Sequence, residues 1–368
     1  MKHHSRRASK YLAAVSASLI AFGLIGCSSA NQPQENTQSP DASEVDLSGV
    51  TIVFGQQGQQ NSPYFEASGA FEDTPYTIEF ASFNNPGDNL TANASGSVDV
   101  SYVGEWSGLQ AASATAPWSD EDALYKSILV LEQGNPEEFD AARAVVTASS
   151  GLESLEESKG KRWGYIPGSY FELLTNQALA ALGWSADDVQ LTPLNVTELR
   201  TAVETGEVDV AFVYTSYYLD LIDSGTIRTV ATSHADFDLP FNNALWASTG
   251  SLNDPAKSLA IEDFIRRFIE AEKWFVSNPD EAQRVGIEAN LNAPERAKGV
   301  WEYDRRKSAP ITQRTIDGTQ KLLDLGNSIG LIDNSTDAAV FYDDRYTDAI
   351  NEALQSLGFD QALSDSYR

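Results

Sequence analysis

The residue types that most often carry out chemistry are nearly absent from this chain. Its histidines are His3, His4 and His234, its one cysteine is Cys27 and its one methionine is Met1. If residues 1–26 are removed, one His and one Cys remain, which disfavours a Cys/His zinc site, an iron–sulfur cluster, a structural disulfide and a Cys–His dyad. A serine triad would have to use His234, and no G-x-S-x-G elbow accompanies it. No Walker loop or dinucleotide-binding glycine fingerprint appears either. The sequence predicts no catalytic constellation, no metal and no cofactor. It offers instead a set of neutral donors and aromatic rings at turns. At Gly168-Ser169-Tyr170 a predicted helix begins, and its first amides and dipole can receive an oxyanion without a basic side chain. Ser169 either adds a hydroxyl donor there or caps its own helix.

Other turns repeat this chemistry. The amides and side chains of Gly55-Gln56-Gln57 either face a ligand from the opposite side or form an ordinary polar turn. Asn84-Asn85-Pro86-Gly87 can donate hydrogen bonds to a ligand head group or serve as a plain turn. Trp106, Tyr170, Tyr214, Tyr217 and Trp246 fall at or beside predicted loops, where aromatic walls suit an apolar ligand body; about three of the five are expected to touch it. Gly104 ends a strand just before Glu105. That acid is either salt-bridged within the fold or the partner of a ligand ammonium or hydroxyl. His234 reads as a surface loop residue.

These residues are positioned by strands and helices in alternation. Thr51 to Phe54, Tyr76 to Phe80 and Val98 to Val103 read as strands, with a short helix from Asp88 to Ala94 closed by Gly96. The same order returns with a strand at Arg162 to Ile166, a helix through Leu182 and a strand at Val189 to Leu194. A helix capped by Thr197 and a strand at Val208 to Val213 complete it. Gly96-Ser97-Val98-Asp99-Val100 and Gly206-Glu207-Val208-Asp209-Val210 match at Gly, Val, Asp and Val, which points to an internal repeat. Strands alternating with helices imply parallel β-α-β units, whose ligands bind beyond the carboxyl ends of the strands. Two such lobes facing one another put both sets of strand ends at one cleft. From Ser251 onward the chain reads as helical, with Phe264, Phe268, Ile269 and Phe275 on one face. These helices are expected to pack on the first lobe.

The N-terminus reads as an address. Lys2, Arg6, Arg7 and Lys10 precede a short apolar stretch from Tyr11 to Ile25, and Leu24-Ile25-Gly26-Cys27 resembles a bacterial lipobox. The resemblance implies cleavage before Cys27, lipidation of its thiol and a cell-membrane protein anchored on the extracytoplasmic face. The polar stretch that follows is a flexible tether. The expected organisation is a signal peptide over 1–26, lipidated cysteine and linker over 27–47, the first part of lobe 1 over 48–147, lobe 2 over 148–247 and the rest of lobe 1 over 248–368. Twenty-five Lys and Arg against 53 acids give a formal charge of −28. That excess opposes contact with nucleic acid, which needs clustered cations.

Several motifs in order resemble the substrate-binding lipoproteins of ABC importers for aliphatic sulfonates, taurine and nitrate. They are Val98 to Glu105; Lys159-Gly160-Lys161-Arg162 with Gly168-Ser169; Glu198 to Val213; Trp274 with Asn278-Pro279-Asp280-Glu281-Ala282; and Pro310-Ile311 to Gln320 followed by Ile332. The resemblance implies an α/β, two-lobe periplasmic-binding-protein fold of type II, each lobe a mostly parallel sheet flanked by helices. It also implies a monomeric, non-enzymatic solute carrier with permease and ATPase partners. Glu105 is followed by Trp106-Ser107-Gly108 where the family usually places Pro, and Tyr214-Thr215-Ser216-Tyr217 replaces its W-x-P-Y. The frame is kept and the contact residues differ.

The expected ligand is an organosulfur compound, a sulfonate or sulfate ester. Met1 is required by initiation and Cys27 by lipidation, so every sulfur atom in the chain is obligatory. Methionine otherwise packs irregular cores well and ordinary usage would supply several. A thiamine-precursor pyrimidine, nitrate or another small ligand on the same fold is the alternative, as is an enzyme or sensor built on it.

Overall fold

The computed structural model describes residues 45–113, 119, 121–332 and 336–368. The signal peptide, Cys27 and most of the expected tether lie outside the described residues. From Glu44 to Arg368 the chain is one compact unit. No helix among the described residues is long and apolar enough to cross a membrane.

Eleven strands in the described residues form two sheets. They are β1 (Thr51–Gln57), β2 (Thr77–Phe83), β3 (Val100–Gly104), β4 (Tyr125–Gln133), β5 (Ala142–Thr147), β6 (Arg162–Tyr165), β7 (Gln190–Pro193), β8 (Val210–Tyr214), β9 (Ile227–Thr232), β10 (Asn243–Ser248) and β11 (Arg306–Ala309). One sheet runs β11-β4-β10-β3-β1-β2 and the other β7-β6-β8-β5-β9. The repeat read from sequence is visible in this order. In each sheet the first strand of the repeat lies between the second and third, and all three are parallel. The remaining pairings are antiparallel, so both sheets are mixed rather than mostly parallel. Antiparallel strands enter because the chain crosses between the sheets after β4 and again before β10. The result is the two-lobe, type II periplasmic-binding-protein architecture expected from sequence.

The two aspartates of the repeat do the same work. Asp99 Oδ2 accepts the Val53 amide at 2.8 Å, and Asp209 Oδ2 accepts the Arg162 amide at 3.0 Å. In each case the aspartate's own amide donates back to the carbonyl of that same residue. Each carboxylate therefore pins the register of a parallel pair at its first rung. Asp99 also receives Lys257 Nζ at 2.6 Å, and Asp209 receives Arg162 through two nitrogens.

The 23-residue helix Pro255–Ser277 starts at Asp254, whose side chain accepts the amides of Ala256 and Lys257. Its apolar face carries Phe264, Phe268, Ile269 and Phe275 into the core of the first sheet. Phe264 lies 5.3 Å from Phe54 of β1, ring to ring. The C-terminal region is not wholly helical, because Arg306–Ala309 adds β11 to the edge of the first sheet beside β4. Four residues between a helix and a Pro-containing turn carry too little pattern to read as a strand. Asn195, not Thr197, caps Val196–Thr205, in a reciprocal capping box with Glu198.

Candidate ligand-binding site

The carboxyl end of β8 in the second sheet meets the start of β11 in the first, and the side chains gathered there are tyrosines, acids and Arg306. Tyr214 ends β8 and Tyr217 stands in the first turn of Thr215–Asp223. Their rings are 5.2 Å apart, and Phe241 lies 5.3 Å from Tyr214. The Tyr214 hydroxyl bonds to Asp304 and accepts from Arg306 Nη2 at 2.8 Å. Asp304 and Arg306 flank the start of β11, so these bonds tie the second sheet to the first. Arg306 Nη1 donates to the Phe241 carbonyl at 3.0 Å, fixing the guanidinium against the crossing segment.

The first sheet supplies the opposite wall. Tyr102 of β3 accepts from Asn243 Nδ2 at 2.8 Å. Tyr64, from Ser62–Ser68, packs its ring 5.1 Å from Phe275. Glu272 projects from Pro255–Ser277 into the same group and interacts electrostatically with Arg306 and Asp304. Tyr64, Tyr102, Tyr214, Tyr217, Glu272 and Asp304 keep some accessible surface although protein surrounds them. Enclosure raises their proton affinities. Burial pushes Glu272 up to about 8, with Asp304 adding to the rise against Arg306. It also raises Asp304 despite Arg306 and the Tyr214 hydroxyl. Tyr217 is pushed up to about 12 by burial and then by Asp304. An ionised carboxylate here lacks the hydration it would have in water, so proton uptake or a cation relieves it.

The residues expected from sequence divide into several groups. Tyr214 and Tyr217 stand in this cluster. Gln57 is half-buried at the end of β1 and makes no side-chain hydrogen bond with a described residue. Gly104 ends β3, where a Cβ would stand 3.7 Å from Ser107 Oγ and 3.9 Å from Asn243 Oδ1. Gln56 is fully buried and turned inward. Its Oε1 accepts the amides of Asn61 and Ser62 at 2.9 and 3.1 Å, doing the capping work that Asn61 does not.

Asn84 and Asn85 are exposed, and Asn85 caps Pro86–Ala94 through the Asp88 amide. Trp106 and Trp246 are core residues. A Cβ on Gly326 would stand 2.4 Å from the Trp106 ring, and one on Gly108 would stand 2.2 Å from Trp246. Both indoles thus fill space that glycine leaves open, away from the cleft. Tyr170 is buried, with its hydroxyl donating to the Leu239 carbonyl at 2.8 Å.

Glu105 is internal as well. It accepts from Tyr342 at 2.7 Å, Thr319 at 2.8 Å and Asn242 at 3.0 Å, which rivets Gln313–Ser328 to the first sheet. Of its two possible roles, the structural one is realised, with neutral donors in place of a salt bridge. His234 lies in the short helix Ser233–Phe237, its amide bonded to Asp140 at 2.7 Å.

The helix start at Gly168 is occupied by the chain itself. Glu172 accepts the Gly168 amide at 2.8 Å and Gln110 Nε2, from the first lobe, at 3.0 Å. Ser169 Oγ donates to the Ile166 carbonyl at 2.6 Å and accepts the Phe171 amide at 3.2 Å. An anion seated at these amides would first have to displace a carboxylate.

Sequence reasoning missed Tyr64, Tyr102, Glu272, Asp304 and Arg306. One signal was present: Glu272 follows Phe268 by four residues and precedes Phe275 by three, so an acid interrupts the apolar stripe of its helix.

The NMT1/THI5-like family profile matches residues 71–282, more than half of the chain. The chain belongs to the NMT1/THI5-like family. A protein of Brucella abortus (strain 2308) named as a binding protein is 24% identical over 242 residues, covering 64% of this chain and 70% of that one. Among solved structures, the periplasmic aliphatic sulphonate binding protein of Escherichia coli superposes with a TM-score of 0.67. It is 18% identical over 79% of this chain and 91% of its own. The periplasmic nitrate-binding protein of Synechocystis PCC 6803 gives 0.62 at 14% identity, covering 87% and 91%. The desulfurization enzyme DszB gives 0.57 at 12% identity, covering 83% and 99%. The fold is therefore shared by binding proteins of different named ligands and by an enzyme, and does not select among them.

Proposed function

We propose that this chain is the solute-binding component of an ABC importer, closing its two lobes on a small organic molecule. The observation that carries this reading is the cluster at the strand ends. Tyrosines and acids from both lobes converge there with water-accessible surface, and no nucleophile is paired with a base. Lipidation at Cys27 would hold the protein at the outer face of the cell membrane, within reach of permease and ATPase partners. A thermal-shift panel of sulfonates, sulfate esters, nitrate, aminopyrimidines and organic amines tests the reading, with calorimetry on every hit. Saturable one-to-one binding without turnover is expected. Chemical conversion of a bound compound would replace a carrier with an enzyme.

An organosulfur ligand is the narrower reading favoured by sequence. Apart from Met1 and Cys27 the chain holds no sulfur, which suits a protein made in quantity when sulfur is scarce. Growth with a candidate organosulfur compound as sole sulfur source, with and without this gene, tests it. Equal growth of both strains on every compound that binds would remove the sulfur role.

A further inference from the structure

Between Tyr64, Tyr102, Tyr217, Glu272 and Asp304, acids outnumber the partners available to them. Glu272 makes no hydrogen bond or ion pair with a described residue. Among the described residues, the Asp304 carboxylate is bonded through the Tyr214 hydroxyl alone. Arg306, the cation that acts electrostatically on both, is already engaged by the Phe241 carbonyl and the Tyr214 hydroxyl, with its guanidinium 5.1 Å from the Phe241 ring centre. Arg296 lies beside Tyr217 and donates to its carbonyl at 3.1 Å. Two buried groups on the elements that carry these tyrosines also lack partners. They are Asn61 Oδ1, at the start of the Tyr64 helix, and Ser216 Oγ, between Tyr214 and Tyr217 in sequence. Of the donor turns read from sequence, the Gly168 amide is taken by Glu172, and Asn85 is turned onto its own helix at the Asp88 amide.

We propose that the cleft selects a small organic cation, whose ammonium or amidinium group is held among Glu272, Asp304 and the rings of Tyr64, Tyr102 and Tyr217. This rests on the solute-binding reading above. Tyrosine rings attract a desolvated cation through their quadrupoles, and a partnerless carboxylate supplies the countercharge. A proton stands in for the ligand when the site is empty, because burial has raised Glu272 to about 8. The groups facing Glu272 are Asp304, Arg306, Tyr64 and Tyr102. Burial raises both tyrosines above their ordinary range, and Glu272, pushed up to about 8, changes charge between neutrality and pH 8; burial raises Asp304 as well. An arriving cation restores the Glu272 carboxylate, and the displaced proton leaves to solvent. Binding should therefore release a proton at pH 7 and tighten as pH rises toward 8.

Calorimetry with the intact chain tests this, using choline, benzamidine, the neutral choline isostere 3,3-dimethylbutanol, and toluenesulfonate. Titrations in buffers of different ionisation heat report the proton released. A cation should bind at least tenfold more tightly than the neutral isostere. Glu272→Gln should lose that preference and the proton release together. Should Glu272→Gln fail to fold, Tyr217→Leu keeps both acids and removes one ring; it should weaken the cation and leave toluenesulfonate unaffected. Binding of toluenesulfonate or the neutral isostere alone, unaffected by either variant, overturns the cation and leaves the carrier standing. No heat from any probe overturns both readings.

Discussion

Glu272 occupies a position where a leucine would complete the apolar stripe of its helix. Burial raises its proton affinity to about 8 from the ordinary 4.5 of a glutamate. Between those values the folded chain holds a proton that the unfolded chain has lost. Its contribution to stability is full below about pH 4.5 and falls as pH rises through 8. Glu272→Gln removes that penalty, so the variant should melt above the wild type at pH 8 and near it at pH 4.5. Parallel melting curves at every pH would mean that the acid is well hydrated. Ser169 presents the opposite case, since both its bonds are local, to the Ile166 carbonyl before its helix and from the Phe171 amide in the first turn. Ser169→Ala should cost about 1 kcal/mol of stability, the ordinary value of an N-cap. Affinity for whatever fills the cleft should be unchanged; a tenfold loss by calorimetry would place the hydroxyl on the ligand. A sequence shows that a residue type suits a task, and a serine at a helix start suits two. Which one is realised depends on where Glu172 and Gln110 fall across the cleft, and that is a tertiary fact.

Elements were more legible than contacts because they repeat. The Gly-x-Val-Asp-Val junctions were visible as strings, and the structure gives both aspartates one job: closing the first rung of a parallel pair. They differ in surroundings. Asp99 is buried and its partner Lys257 is about a third exposed, whereas Asp209 faces an Arg162 side chain that is 44% exposed. Asp99→Ala leaves the Val53 amide and the Ser251 hydroxyl without their buried acceptor and Lys257 without its partner, and should cost about 3 kcal/mol. Asp209→Ala should cost about half that, because water can reach its arginine. Urea unfolding of the two variants checks the order; equal losses would mean that accessibility does not separate the sites. The strand β11 had no such repeat to announce it. Its four residues place Arg306, with Asp304 two positions earlier, at the centre of the cleft. Arg306, the cation of the cluster, thus sits on the strand with the weakest local signal, whose one strand neighbour among the described residues is β4.

Several side-chain bonds cross between the lobes, among them Arg143 to the Tyr303 hydroxyl and Arg296 to the Tyr217 carbonyl. Gln110 reaches Glu172 at one place, and Tyr214 meets Asp304 and Arg306 at another. On the solute-binding reading the lobes must open to admit a ligand, and these polar contacts at the strand ends can break without exposing either sheet's core. Tyr214→Phe keeps the ring beside Tyr217 and Phe241 and removes only the hydroxyl. It leaves Asp304 without a hydrogen bond and frees one nitrogen of Arg306. The expected result is a shift toward the open arrangement, read by small-angle scattering as a larger radius of gyration in the ligand-free variant. Ligand should restore the compact form at a cost of about 1.5 kcal/mol, roughly a tenfold weaker affinity, as for a hydrogen bond to a charged group. Superimposable scattering curves with unchanged affinity would mean that Tyr214 only lines the wall, leaving closure to Gln110, Glu172 and the apolar contacts around them.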